Sequence, residues 1–517
     1  MPPMRPVRGS AVPPDPAGCG PMDVPAGLRP LGPFDPWEAF HAGWDVWSGS
    51  HADAEGIARR ARWRLRDLLT DAAAAPLHAR RLRAAAGPSA GDPARSRLAA
   101  RRAADVPLSA IAPMTRAELM EHFDEACTDR RVTLAGVREF LADPSRLGEA
   151  FLGAYAVWTS SGTTGRPGVY LHDARALAIY DALEMLRLCG LGQPGRGAQM
   201  FEDLLRAPFA DAHRYAMVGA TGGHFAGNAS VERLRRLWPW AAANAQVFSI
   251  LQPLPALVAQ LNAYAPSVIA TYPTAAEVLA EERVAGRLAI HPHELWVGGE
   301  QLSDAVRTQV TRAFGCRVRE GYGASECLSI AWDCGHGSLH VNADWVILEP
   351  VDRSFEPVPV GDASHTVLIT NLANRVQPMI RYDLGDSITM RRTPCPCGSA
   401  FPAIRVEGRR DETLEFDGEH GPVMLLPLAL VTVMEDDAGV FDFQLIARDR
   451  RTLALRLDPL ADAQAPEPAR PRCRRVLRTF LDGQGLHAVR IDDDPQPPAR
   501  EPVSGKLRRV LRAPAAR

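Results

Sequence analysis
Lysine is almost absent. The 517-residue chain holds 59 lysine and arginine residues, and Lys506 alone is lysine. Arginine serves on a solvated face, where a positive charge and an apolar stem suffice. It does not replace a compact ammonium that must approach one point charge in a tight site, because the guanidinium is planar and wider. The surviving lysine is therefore the first candidate for chemistry. Other absences narrow the class. No stretch reaches the roughly 20 apolar residues of a membrane span, so no membrane partner is expected. Residues 1–36 are rich in proline and glycine but lack an apolar signal-peptide core, which reads as a disordered lead-in and a cytoplasmic protein. Nine cysteines, an odd number without a secretory signal, do not suggest a disulfide framework. A net charge of -2 provides no field that would draw the chain to nucleic acid. Arg59-Arg60 and Arg80-Arg81 then read as solvated helix faces. No internal repeat is visible.

What is present supports a large core: 46% of residues are hydrophobic, and the length suits one large domain with a smaller companion. Residues 37–83 predict an amphipathic helix pair carrying Trp44, Trp47, Ile57, Trp63, Leu65 and Leu68. Residues 84–95 read as a loop. Thr115 followed by Glu118 marks a capped helix start. Beyond residue 150, apolar runs at 215–220, 247–250, 268–271, 295–297 and 367–370 read as strands. They alternate with helical segments at 254–264, 274–286 and 303–314, as in an α/β layered domain. The chain turns highly charged at 408–412, a domain boundary, and resumes with strands near 441–446 and 453–457. Residues 461–472 and 492–502 read as exposed loops.

The run Thr159-Ser160-Ser161-Gly162-Thr163-Thr164-Gly165-Arg166-Pro167-Gly168 concentrates hydroxyls and glycines after an apolar strand. Such a loop can wrap a polyphosphate with backbone N–H groups and hydroxyls. It is not the phosphate loop that ends in Gly-Lys-Ser/Thr. In order, this run, Gly321-Tyr322-Gly323-Ala324-Ser325-Glu326, Arg381-Tyr382-Asp383-Leu384-Gly385-Asp386, Gly408-Arg409-Arg410-Asp411 and Ser504-Gly505-Lys506 resemble the motifs of the adenylate-forming enzymes. The chain looks most like their phenylacetate-CoA ligase-like branch, over residues 100–515.

The resemblance implies an α/β fold, with a large layered adenylation domain at 37–408 and a smaller mobile α+β domain at 409–517. It implies that Ser160, Ser161, Gly162, Thr163, Thr164 and Gly165 hold the phosphates of ATP, and that Glu326 helps hold Mg²⁺. Tyr322 would offer an aromatic surface beside the adenine, Gly323 and Ser325 would also bind the nucleotide, Asp386 would accept the ribose hydroxyls, and Arg409 would reach the nucleotide from the domain junction, with Asp411 at the hinge. Lys506 would touch the carboxylate and the α-phosphate. His224, after Gly222-Gly223, would border the acyl pocket. The loop carries Arg166 where lysine is commoner in the family, and Arg381 stands as a candidate for the charge missing from the Asp386 motif.

Cys395-Pro396-Cys397 together with Cys334 and a histidine has the soft donor set of a closed structural zinc site. The expected ligands are Cys334, His340, Cys395 and Cys397, with His336 the competitor for the nitrogen place and Cys327 an outsider. Cys19, Cys127, Cys189, Cys316 and Cys473 have no partner at ligand spacing. The activity implied is ATP-dependent activation of an aryl or arylacetic acid to an acyl-adenylate, then transfer to coenzyme A. The alternatives are transfer to an amine, and a non-enzymatic zinc-stabilised protein that keeps the nucleotide fold. The partners implied are a small carboxylic acid, a thiol or amine acceptor, and a second copy of the chain.

Overall fold
The computed structural model describes residues 36–86, 106–160, 168–190, 214–221, 223–300, 302–406, 414–419, 421–425, 427–440, 442–457, 468–499 and 509–513. Its central element is a nine-stranded mixed sheet. In chain order its strands are β3 (Tyr215–Gly219), β4 (Ala245–Ser249), β5 (Val268–Thr271), β6 (Glu294–Gly298), β7 (Arg317–Ala324), β8 (Cys327–Asp333), β9 (Leu339–Val341), β13 (Ile388–Met390) and β14 (Ala403–Val406). Ahead of them β1 (Ala156–Ser160) and β2 (Gly168–His172) form an antiparallel hairpin. Strands β10 (Val346–Val351), β11 (Thr366–Asn371) and β12 (Tyr382–Asp383) form a separate small sheet.

The large sheet has two halves. Strands β4, β3, β5, β6 and β7 are parallel neighbours, joined by helices that include Leu254–Tyr264, Pro273–Val284 and Asp304–Phe314. This is the alternation expected from the apolar runs, because parallel neighbours need a crossover, usually a helix. From β7 the chain reverses, and β8, β9, β14 and β13 continue antiparallel. Residues 414–513 form their own sheets and core: a hairpin of β15 (Leu414–Gly418) and β16 (Gly421–Leu425), and a sheet of β17 (Phe443–Asp449), β18 (Thr452–Leu457), β19 (Arg490–Asp493) and β20 (Val510–Arg512) beside the helix Ala469–Gly483. The expected boundary at 408 lies outside the described residues.

Several expectations change. The helix Ala469–Gly483 begins, and strand β19 ends, inside segments expected to be loops. The helix has a strongly apolar inner face, Cys473, Leu477 and Leu481, and the strand buries Ile491, which outweighs the local proline and alanine. Arg81 is not on a solvated face: it is buried, and its guanidinium donates to the carbonyls of Ala112 and Ile380 at 2.6 and 2.9 Å. The helix pair Pro36–Ser50 and Ala54–Ala72 forms, but Trp44, Trp47 and Trp63 point outward, while Ala42, Val46, Ile57 and Leu68 are buried.

A buried charge explains the orientation of the second helix. Arg64, 1% exposed, turns inward, stacks on Trp345 at 3.5 Å and donates to the Asp344 carbonyl. Trp63, its neighbour, is thereby directed out. Arg187 meets both Asp344 oxygens at 2.8 and 2.9 Å, so one buried carboxylate faces two guanidiniums from distant segments. Burial alone drives the Asp344 carboxyl up, but Arg187 and Arg64 outweigh it and hold it below its ordinary range. Its contribution to stability is thus complete above about pH 4 and lost as the pH falls through the depressed folded value. Asp344→Asn should destabilise the fold by about 3 kcal/mol, because the buried Arg187 loses its counter-charge while Arg64 keeps only its pair with Asp45 at 2.8 Å. Denaturant unfolding at pH 7 should show the first transition moving to lower concentration; an unchanged midpoint would count against the ion pair as an anchor.

Candidate functional site
The parallel strands end on one edge, and the described residues of the motifs at 321–326 and 381–386 gather there. Strand β7 carries Tyr322 and Gly323 into a tight reversal at Ser325 and Glu326 before β8. Glycine is required at 323, since a Cβ there would lie 1.9 Å from the Leu328 carbonyl oxygen. The reversal is held from several sides. The Ser325 carbonyl lies 2.9 Å from His172 Nε2, the Asn371 side-chain amide donates to the Glu326 carbonyl at 3.0 Å, and the Ser325 hydroxyl donates to the Thr159 carbonyl at 3.3 Å. Glu326 is thereby fixed, 4% exposed, beside the β1–β2 hairpin.

Asp386 follows β12 and accepts a hydrogen bond from the Tyr322 hydroxyl at 3.0 Å. Two motifs 64 residues apart therefore meet. Arg381 does not fill a charge in this site. It is buried, with φ at 49°, and its guanidinium is spent on Glu349 at 3.1 Å and on the carbonyls of Ser109 and Ile111. Ser160, the last residue of β1, is opposite Gly168, and its buried hydroxyl has no hydrogen-bond partner. Ser161, Gly162, Thr163, Thr164, Gly165 and Arg166 lie outside the described residues, as do Arg409, Asp411 and Lys506.

His224 is buried beside β1, where its carbonyl accepts from the Thr159 N–H at 2.8 Å. Its ring packs 5.7 Å from Phe140 and its Nε2 makes no hydrogen bond. Burial, reinforced by Arg146, lowers its pKa, so the ring is neutral near pH 7.

Two residues outside the motifs, Tyr170 and Arg116, and one inside a motif but given no role, Tyr382, join the group. Tyr170 and Tyr382 join their hydroxyls at 2.9 Å, and Arg116 approaches Glu326 at 3.9 Å. Tyr170 is the residue of β2 that folds back over Gly168, which stands opposite Ser160. The smaller unit contacts the larger one, and its Glu435 is near enough to feel the charge of Arg116. Arg509 pairs with Glu435, and the Gln484 side chain donates to the Leu251 carbonyl at 2.7 Å. Burial pushes the Glu435 carboxyl up to about 7, opposed by Arg509 and, more weakly, by Arg116.

A second cluster lies at the antiparallel end of the sheet. Cys334, His340, Cys395 and Cys397 bring their donor atoms within 4.8 Å of one another. Cys397 Sγ is 3.2 Å from His340 Nε2, and Cys334 Sγ is 3.6 Å from Cys395 Sγ. His340 Nδ1 meets the Phe401 carbonyl at 2.8 Å, which fixes the ring and leaves Nε2 toward the sulfurs, the usual arrangement around a metal-binding histidine. His336 is exposed and outside the group. Cys327 is packed in the core, as are Cys127, Cys189, Cys316 and Cys473 in their own surroundings, while Cys19 lies outside the described residues. The four donors suit a thiolate-preferring metal with no open position.

No protein-family model matches the chain. It is 25% identical over 387 residues to the phenylacetate-coenzyme A ligase of Thermus thermophilus, covering 69% of this chain and 80% of that one. It is 24% identical over 198 residues to protein CapK of Staphylococcus aureus, covering 37% of this chain and 42% of that one. Among solved structures, a 2-hydroxyisobutyryl-CoA ligase in complex with 2-HIB-AMP and CoA superposes with a TM-score of 0.51 at 18% identity, covering 90% of this chain and 91% of that one; this likeness concerns the fold.

The Cys/His cluster yields a test. Purified protein should carry about one equivalent of a divalent metal, and Cys395→Ser/Cys397→Ser should lose it together with thermal stability. Elemental analysis without metal, or a double variant as stable as the parent, would show the cluster to be a group of packed thiols.

Proposed function
We propose that the chain is an adenylate-forming enzyme, an AMP-forming acid–thiol ligase. A carboxylate oxygen attacks the α-phosphorus of ATP, the bond to the β-phosphate breaks, and pyrophosphate leaves. The thiol of coenzyme A then attacks the acyl carbon and expels AMP. An aryl or arylacetic acid is the expected substrate, in keeping with the phenylacetate-coenzyme A ligase relative.

The observation that carries the nucleotide site is the meeting of Tyr322 with Asp386 at the carboxyl ends of the parallel strands, beside Glu326. Ligands of open α/β sheets bind at such ends. A two-oxygen acceptor suits a ribose diol, and Tyr322 offers an aromatic surface beside the base. Glu326 would hold Mg²⁺, a hard cation that pairs with carboxylate and phosphate oxygen. Zinc suits Cys334, His340, Cys395 and Cys397, and four filled positions give it a structural role. His224, neutral and buried beside β1, would line the acyl side. Residues 409–517 are proposed to move as a unit about Asp411, since one arrangement cannot be complementary to two transition states. Among the described residues no helix is long and apolar enough to cross a membrane; the cytoplasm is the proposed location.

Two variants test this reading. Asp386→Ala should weaken ATP binding by about 10-fold or more with the fold retained, since hydrogen bonds to a charged group are worth about 1.5–3 kcal/mol. Unchanged affinity in calorimetry would mean another acid holds the ribose. Lys506→Arg should be nearly as damaging to adenylation as Lys506→Ala, costing about 3 kcal/mol or a hundredfold in rate. Thioester formation from synthetic acyl-adenylate should survive far better. Near-parental adenylation by the arginine variant would reduce the lone lysine to composition, and equal loss in both half-reactions would remove the domain motion.

A further inference from the structure
Arg116 is built into the nucleotide site and left unfinished. It is the first residue of the helix Arg116–Glu121, whose start is fixed by the Thr115 hydroxyl accepting from the Glu118 N–H at 3.2 Å. Two residues earlier, Met114 is clamped to β12: its N–H donates to the Arg381 carbonyl, and its carbonyl accepts from the Asp383 N–H, both at 2.9 Å. Backbone on both sides therefore delivers the Arg116 side chain to Tyr382, Tyr170 and Glu326.

There the guanidinium is hydrogen-bonded to Tyr382 but not used up. Its side chain is 15% exposed, and Nε and Nη1 are buried without a hydrogen-bond partner. The approach of Nη2 to Glu326 Oε1, 3.9 Å, is too long for a hydrogen bond. An ion pair meant only to stabilise a fold would close that gap and satisfy the fork, because a buried unmet donor costs about 1–3 kcal/mol. The donors Arg81 and Arg381, close by in the fold, are engaged on carbonyls. The Ser160 hydroxyl, also buried without a partner, closes the hairpin across from Gly168 and Tyr170.

We propose that Arg116 is a phosphate ligand of the ATP and pyrophosphate states, donating Nε–H and Nη1–H to oxygens of the β- and γ-phosphates. This rests on the nucleotide site proposed above and extends it. The chemistry is matched: a planar fork meets two phosphate oxygens at once, which an ammonium cannot do. The loose pair with Glu326 then has a purpose. A carboxylate that must turn to Mg²⁺ and a guanidinium that must turn to phosphate are held near each other without being committed to each other. AMP, which lacks the β- and γ-phosphates, would not engage Arg116.

The test is calorimetric titration of full-length Arg116→Gln and Arg116→Lys with AMP, Mg-ATP and Mg-pyrophosphate. In Arg116→Gln, Mg-ATP and Mg-pyrophosphate should weaken about 10- to 100-fold while AMP changes less than about threefold. Arg116→Lys should recover part of the loss, as charge returns without the fork. Equal loss for AMP and ATP, or no loss for any ligand, would overturn the assignment. If Arg116→Gln does not fold, the lysine variant decides alone: a reduced preference for ATP over AMP supports phosphate contact, and a retained preference, or failure of the lysine variant to fold as well, assigns Arg116 to structure. A parent protein that binds no nucleotide would instead overturn the proposed function itself.

Discussion
The site hangs on one short piece of pairing, the clamp of Met114 onto β12. Two hydrogen bonds tie a segment near residue 114 to one near 382, and Arg381 takes a left-handed backbone conformation between them. A bulky residue adopts that conformation only when its surroundings compel it. Here the guanidinium is held by Glu349 and two carbonyls, so the bend is secured by its own side chain. Beyond it, Tyr382 reaches Tyr170 and the chain runs on to Asp386. The geometry around Glu326 is a consequence of where this crossing lies.

The sheet does the complementary work. Its parallel half brings strand ends to a common edge, and the turn after β7 changes the direction of pairing there. Gly323 permits the tight approach to Leu328, and His172 and Asn371 hold the reversed backbone by its carbonyls. A carboxylate on a hairpin would ordinarily be mobile. Glu326 is instead supported through main-chain contacts, and its carboxyl group is met by the Tyr170 hydroxyl and approached by Arg116, an arrangement that fits the proposed metal-holding role.

The alternating apolar runs made the parallel half of the sheet legible, and the motif order pointed to Tyr322, Glu326 and Asp386 as neighbours. The thiol and imidazole donors were legible as a set because their chemistry is narrow. Arg116 was not legible as part of a site. Thr115 and Glu118 mark the helix start, but nothing local says that the first helical residue faces a tyrosine 266 positions away; that follows from the β12 crossing. Tyr170 and Tyr382, 212 residues apart, were hidden for the same reason. The tryptophans misled in the opposite direction: residue hydrophobicity favoured Trp63 inside, whereas the buried carboxylate of Asp344 drew in Arg64.

The Cys/His cluster joins parts of the chain that are 61 residues apart at Cys334 and Cys395. Between those points run β9 to β13, and with them Tyr382 and Asp386. Closing a loop of that length restricts the unfolded chain by on the order of 4 kcal/mol, if a metal tie is treated like a covalent crosslink. The metal would then act on the proposed nucleotide site without approaching it. By keeping the ends of the segment together, it limits how far Asp386 can stray during local opening, so occupancy of a distant structural site would appear as slower loss of bound nucleotide at elevated temperature.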